Sequence, residues 1–101
     1  MIVRIPWAAR WDILDAADDY EAKLKGLGPK FMSAVDAAIR RIGKSPRLYS
    51  AAPRTPRGRE VRFGLVRRFP YAVYFEVLAS EVVILAVVHV RRHRRTWFSR
   101  L

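Results

Sequence analysis

The chain has no cysteine. Disulfides, thiolate metal sites and a thiol nucleophile are therefore excluded. It also has no apolar run long enough for a bilayer. The stretch Val82–Val88 is apolar throughout, but a spanning helix takes about 20 such residues. The first residues include Arg4 and no long apolar segment, so no signal peptide is expected and a cytoplasmic setting is. Acidic residues are scarce, 9 against 20 Lys and Arg, which leaves a formal net charge of +11. What is present suits one folded unit. At 101 residues and 51% hydrophobic, the chain can bury one core and has no room for two, so residues 1–101 are read as a single domain.

The charge is unevenly spread. Met1–Ser50 has a net charge of +3 and Ala51–Leu101 of +8, and every Lys or Arg of the second half is an arginine. Guanidinium groups bind phosphates and carboxylates as planar forks. Such a surface attracts a polyanion: nucleic acid, an acidic protein or an anionic membrane.

The order of elements follows from period and breakers. "MIVRI" is short and β-prone, and Pro6 closes it. Ile13, Ala17, Tyr20, Leu24 and Leu27 recur at helical spacing from Trp7 onward. The pairs Asp19–Lys23 and Glu21–Lys25 support that helix weakly. Gly28 and Pro29 read as a cap and a first helical residue. A second stripe, Phe31, Val35, Ala38, Ile39 and Ile42, ends at Gly43 and Pro46. The two helices are expected to form an antiparallel hairpin, with their Trp and Phe residues in the core. Arg47–Arg59 reads as a loop. Three β-like runs follow: Glu60–Arg67, with Val61, Phe63 and Leu65 on one side, then Tyr71–Leu78, then Glu81–Val90. The last is apolar on both faces and is expected to be central. The fold class is α+β, in the order β-α-α-β-β-β, with the helical hairpin on one face of a small, mainly antiparallel sheet. A single helical layer leaves the other face partly open. Its groove is expected to be lined by even-numbered residues of the second of these runs and by the arginine-rich end.

That end reads "VVHVRRHRR". Arg91, Arg92, Arg94 and Arg95 repel one another and add nothing to folding unless an anion is present. Arg67 and Arg68, in the turn before Tyr71, are expected to join them, and Arg62 to lie on the open face. Arg54, Arg57 and Arg59 form a second basic patch. Trp97 either meets the partner or packs the tail onto the core. His89 either bonds a nearby backbone group or serves as a general base near neutral pH. His89 and His93 would suit a metal only on a helix. At a strand end they diverge, and no metal or cofactor is expected.

"LVRRFPYAVYFEV" followed by "VVILAVVHVRRHRRTWFSRL" resembles the end of a ParE/RelE-superfamily toxin, from a bacterial type II toxin–antitoxin system. "AARWDILDAADDYEAKLKGLGPKFMSAVDAAIRRI" resembles the helical hairpin of the same group. The resemblance covers essentially the whole chain. It implies a compact toxin held inactive by a partly disordered acidic antitoxin, in a hetero-oligomer. RelE-like members of the superfamily cut messenger RNA on the ribosome. ParE-like members poison DNA gyrase without a hydrolytic site of their own. RelE-like members carry an arginine after the aromatic residue that opens the middle strand, and a C-terminal tyrosine. Here Ala72 follows Tyr71, and the tail reads Thr96, Trp97, Phe98. Arg92 alone stands where a RelE-type cation would. The resemblance thus lies closer to ParE, with gyrase as the expected target and ribosome-bound message as the alternative. For the ribonuclease alternative, His89, Arg92 and Arg62 are the catalytic candidates. For partner binding, the candidates are Arg62, Arg67, Arg68, Arg91, Arg92, Arg94, Arg95 and Trp97.

Overall fold

The computed structural model describes all residues, Met1–Leu101. Its elements are β1 (Ile2–Arg4), α1 (Trp7–Lys23), α2 (Leu27–Lys44), β2 (Ser50–Ala51), β3 (Val61–Leu65), β4 (Tyr71–Val77) and β5 (Glu81–His89). The sheet order is β1-β5-β4-β3-β2, with β1 parallel to β5 and the other pairs antiparallel. The expected helical hairpin and central last strand are present. The expected loop holds two further pieces, a 3-10 turn at Pro46–Leu48 and the two-residue edge strand β2. No helix is long and apolar enough to cross a membrane.

Helix α2 buries the stripe its period shows: Phe31, Val35, Ala38, Ile39 and Ile42. Helix α1 departs from its expected stripe. It buries Ala9, Ala16 and Ala17. Ile13 and Tyr20 are half-buried, and Leu24 is exposed past the helix end. Trp7 and Trp11 are not core residues; they are 71% and 57% exposed. The physical reason is side-chain size. The alanine side of α1 lets its backbone approach the sheet and α2, and the tryptophans lie on the opposite side.

The hairpin turn is tighter than expected. Gly26 takes a left-handed φ of 89° and α2 begins at Leu27, before Gly28. Glu21 is not paired with Lys25. Its carboxylate accepts the N–H groups of Gly26 and Gly28 at 2.9–3.0 Å, and these bonds lower its pKa. Gly28 must lack a side chain, because a Cβ there would lie 2.8 Å from the Ala17 carbonyl oxygen.

A β-bulge between β4 and β5 sets which residues face the helices. Tyr74 pairs with Ala86 and Phe75 with Ile84, leaving Leu85 as the extra residue. Val82, Ile84 and Val87 face the helices with Val73, Phe75 and Val77. Val83, Leu85, Ala86 and Val88 face the other way. The added residue inverts the alternation. It puts His89 on the helix side, opposite Tyr71.

The second face of the sheet is not open. Ala72, Tyr74 and Glu76 do point there, as their alternation implies, but they are buried under the chain's own C-terminus. A 3-10 segment, Thr96–Arg100, folds back over them. Trp97 is 2% exposed and stacks on Tyr74 at 5.9 Å. Arg100 fixes the segment by donating to Asp12 at 2.6 and 3.1 Å and to the Leu85 carbonyl at 3.0 Å. From the other side, Arg59 forks onto buried Glu76 at 2.5 and 2.9 Å. The expected groove is therefore filled from within.

Candidate partner-binding surface

The basic C-terminal turn is built on His89. Beyond β5, the Val90 N–H donates to the Pro70 carbonyl at 3.0 Å, which ties the strand end to the β3–β4 turn. The N–H groups of Arg92 and His93 then donate to the His89 carbonyl at 3.3 and 3.2 Å. The Arg91 N–H donates to His89 Nδ1 at 3.1 Å. Arg91, Arg92, Arg94 and Arg95 all come out exposed. None has a carboxylate within salt-bridge distance. Arg95 lies 5.8 Å over the Phe98 ring.

The surroundings of His89 favour its neutral form. Burial lowers its pKa, and the neighbouring charges of Arg92, Arg91, His93 and Lys23 lower it further. With Nδ1 accepting from Arg91, the ring proton sits on Nε2. The lone pair that a general base needs is thus occupied by the backbone. Of the two readings of this residue, the strand-end histidine bonded to a nearby backbone group is the geometry present.

The cleft in front of His89, about 350 Å³, brings it together with Tyr71 and Arg92. Its other wall is α1, with Asp12, Asp15 and Asp19. Arg100 engages Asp12, while Asp15 and Asp19 have no cation within 4.0 Å. A phosphodiester entering beside Arg92 would meet carboxylates across the cleft. Tyr71 and Tyr20 have raised pKa values, mainly through burial, so their hydroxyls keep their protons.

Other expected positions are corrected. Arg62 is not on the open face. It pairs with Phe75, on the helix side of the sheet. Its guanidinium is spent on Glu60 at 2.9 Å and the Tyr49 carbonyl at 2.6 Å. Glu60 also accepts from Arg47, and the hydrogen bonds from Arg47 and Arg62 lower its pKa. Phe75 lies four residues along β4 from Tyr71, about 13 Å, so Arg62 shares no site with His89 or Arg92. Trp97 is a core residue of the tail, closed to a partner while the tail is folded. Arg67 and Arg68 do not join the Arg91–Arg95 turn directly. They line a trough against α2, whereas Arg92 lies by Tyr20 and Lys23 of α1. A cluster of Tyr20, Phe31, Phe69 and Tyr71, edge-to-face in three of its four closest pairs with ring centroids 4.9–5.2 Å apart, stands between. Of the second basic patch, Arg59 is taken by Glu76, while Arg54 and Arg57 stay exposed.

Sequence reasoning missed Asp12 and Arg100, which close the tail, and Lys30 and Arg41, which complete the trough. Nothing marks Arg100 among eleven arginines of the second half. Lys30, Ala34, Ala37 and Arg41 do recur at helical spacing on one face of α2, and that pattern could have been read.

Comparison with known proteins agrees with this architecture. One solved structure, described as the chromosomal ParDE TA system from P. aeruginosa, superposes with a TM-score of 0.64. It is 22% identical and covers 88% of this chain and 95% of its own. At that identity the likeness establishes the fold. A search of curated proteins finds no match. A scan of protein families matches residues 3–97 to the ParE toxin of the type II toxin–antitoxin system parDE. With nearly the whole length matched, the chain belongs to the ParE toxin family.

Proposed function

We propose that this ParE toxin inhibits DNA gyrase by binding it, and that an acidic antitoxin neutralises it in a hetero-oligomer. The observation that carries this reading is the state of His89. Transesterification of RNA needs a base for the 2′-hydroxyl, an acid for the leaving oxygen and cations for the phosphorane. Here the imidazole lone pair accepts the Arg91 N–H. Ala72 stands where the resemblance to RelE-like members would put an arginine. The adjacent cleft is walled by aspartates. His93 and Tyr71 also line that cleft, and the exposed cations of the Arg91–Arg95 turn suit binding.

The antitoxin contact is assigned to Arg91, Arg92, Arg94 and Arg95, exposed and without internal partners. The covered second face is not part of it. A partly disordered acidic segment that orders on the toxin would gain its affinity from such charge-assisted contacts.

The test uses purified protein in two assays, gyrase supercoiling and message cleavage on translating ribosomes. The expected result is loss of supercoiling with message intact. Codon-dependent cuts with supercoiling undisturbed would establish the ribonuclease instead.

A further inference from the structure

The geometry points to a second anion site on the opposite side of the aromatic cluster from the Arg91–Arg95 turn: a trough between α2 and the β3–β4 turn that takes the phosphate backbone of a nucleic-acid duplex. The trough measures about 760 Å³ and carries four cations, Lys30 and Arg41 on α2 and Arg67 and Arg68 on the turn. No Asp or Glu lines it. None of the four cations is within 4.0 Å of a carboxylate. They share this with the Arg91–Arg95 turn, Arg54 and Arg57, whereas Arg4, Arg40, Arg47, Arg59, Arg62 and Arg100 are paired; the trough differs in gathering four such cations around one space.

Shape selects among anions. Lys30 and Arg41 are eleven residues apart on one helix face, which separates them by about 16 Å. Arg67 and Arg68 stand on the facing wall. Between the two ends, α2 presents Ser33, Ala34 and Ala37. Leu27, Pro29 and Phe69 also line the trough, so the spread of the cations, not the floor, decides the ligand. A phosphate backbone needs only cations spread along its path, and arginine forks fit its oxygens. A single strand would use exposed rings for base stacking. The one ring in the trough, Phe69, is engaged edge-on with Tyr20 and Phe31 at 5.0 and 5.2 Å. A duplex backbone asks for no ring.

This site does not depend on the gyrase reading, and its test contains neither gyrase nor antitoxin. A short DNA duplex of mixed sequence is titrated with the full chain across a range of salt. The variants are Lys30→Gln with Arg41→Gln, and, as a control of equal charge, Arg54→Gln with Arg57→Gln. All four positions are surface or half-exposed, and thermal melting of each variant confirms its fold. The trough variant should lower affinity and make the slope of log K against log salt shallower by about 1.8, at roughly 0.9 per lost phosphate contact. The control should leave the slope within about half a contact of the parent, and a single strand of the same length should bind more weakly than the duplex. Equal losses in both variants would overturn the site in favour of diffuse surface charge. Binding of poly-glutamate that requires Lys30 and Arg41, with duplex binding indifferent to them, would reassign the trough to an acidic protein segment.

Discussion

The two faces of the sheet are closed in different ways. Two helices of 17 and 18 residues cover one face, with Phe31, Phe75 and Ile84 fully buried between the layers. A five-residue 3-10 segment covers the other, held by one tryptophan and one ion pair. The first cover is a periodic apolar surface, many small contributions acting together. The second is two point attachments. A helical layer tolerates change at its rim, whereas a tail fixed at two points depends on each. Both covers leave the same part of the molecule bare, the basic end where β4 begins and β5 stops.

The largest effect should come from breaking the helical cover. Phe31→Ala removes a fully buried ring that contacts Tyr20, Phe69 and Tyr71 and should cost about 3–5 kcal/mol in denaturant unfolding. Trp97→Ala on the other face should cost about 3 kcal/mol, the low end of that range, because a short segment can settle into the space. Hydrogen exchange should then increase at β4 and β5 residues facing the tail and not on α2. If instead α2 exchanged as fast, the two covers would be one cooperative unit. Next in size is Arg100→Met, which leaves half-buried Asp12 with only the Val87 N–H donating to it at 3.0 Å and should cost about 1–3 kcal/mol, with the Trp97 fluorescence maximum shifting to the red.

The contrast also explains what could be read from the residues alone. The α2 stripe is regular, and the period exposed it. So was the central position of β5, which is apolar on both faces. The α1 stripe misled because alanines, not the larger side chains, make its contact. Tryptophan at an exposed position runs against composition. The tail was illegible for another reason. A 3-10 segment has no useful period, and its anchors, Asp12 and Arg100, are 88 residues apart. The bulge at Leu85 was equally hidden, since a continuous apolar run reads the same in either register. That one residue decides that His89 faces α1, and with it the character of the cleft. Of the basic candidates, the exposed turn Arg91–Arg95 was recognisable as a run. The pairing of Arg62 with Glu60 could have been read, since residues two apart on a strand share a face; its bond to the Tyr49 carbonyl, 13 residues away, could not.

The smallest expected effect is a pH dependence. His89 has its folded pKa lowered from the ordinary 6.5, so the unfolded chain takes up its proton first as pH falls. Stability is therefore full above about 6.5 and declines as pH drops through 6.5 toward the folded value. In His89→Gln that part of the slope should vanish. An unchanged slope in the variant would place the titration elsewhere.

The same substitution gives the most direct test of the central claim, that the toxin acts by binding and moves no proton. Gln keeps a side-chain acceptor for the Arg91 N–H and cannot transfer a proton near pH 7. Growth inhibition by His89→Gln should match that of the parent, with folding and antitoxin binding intact. A fall in activity of roughly 10²–10⁴-fold, the range for losing a general base, in a variant that still folds and still binds the antitoxin, would contradict the account and favour the ribonuclease.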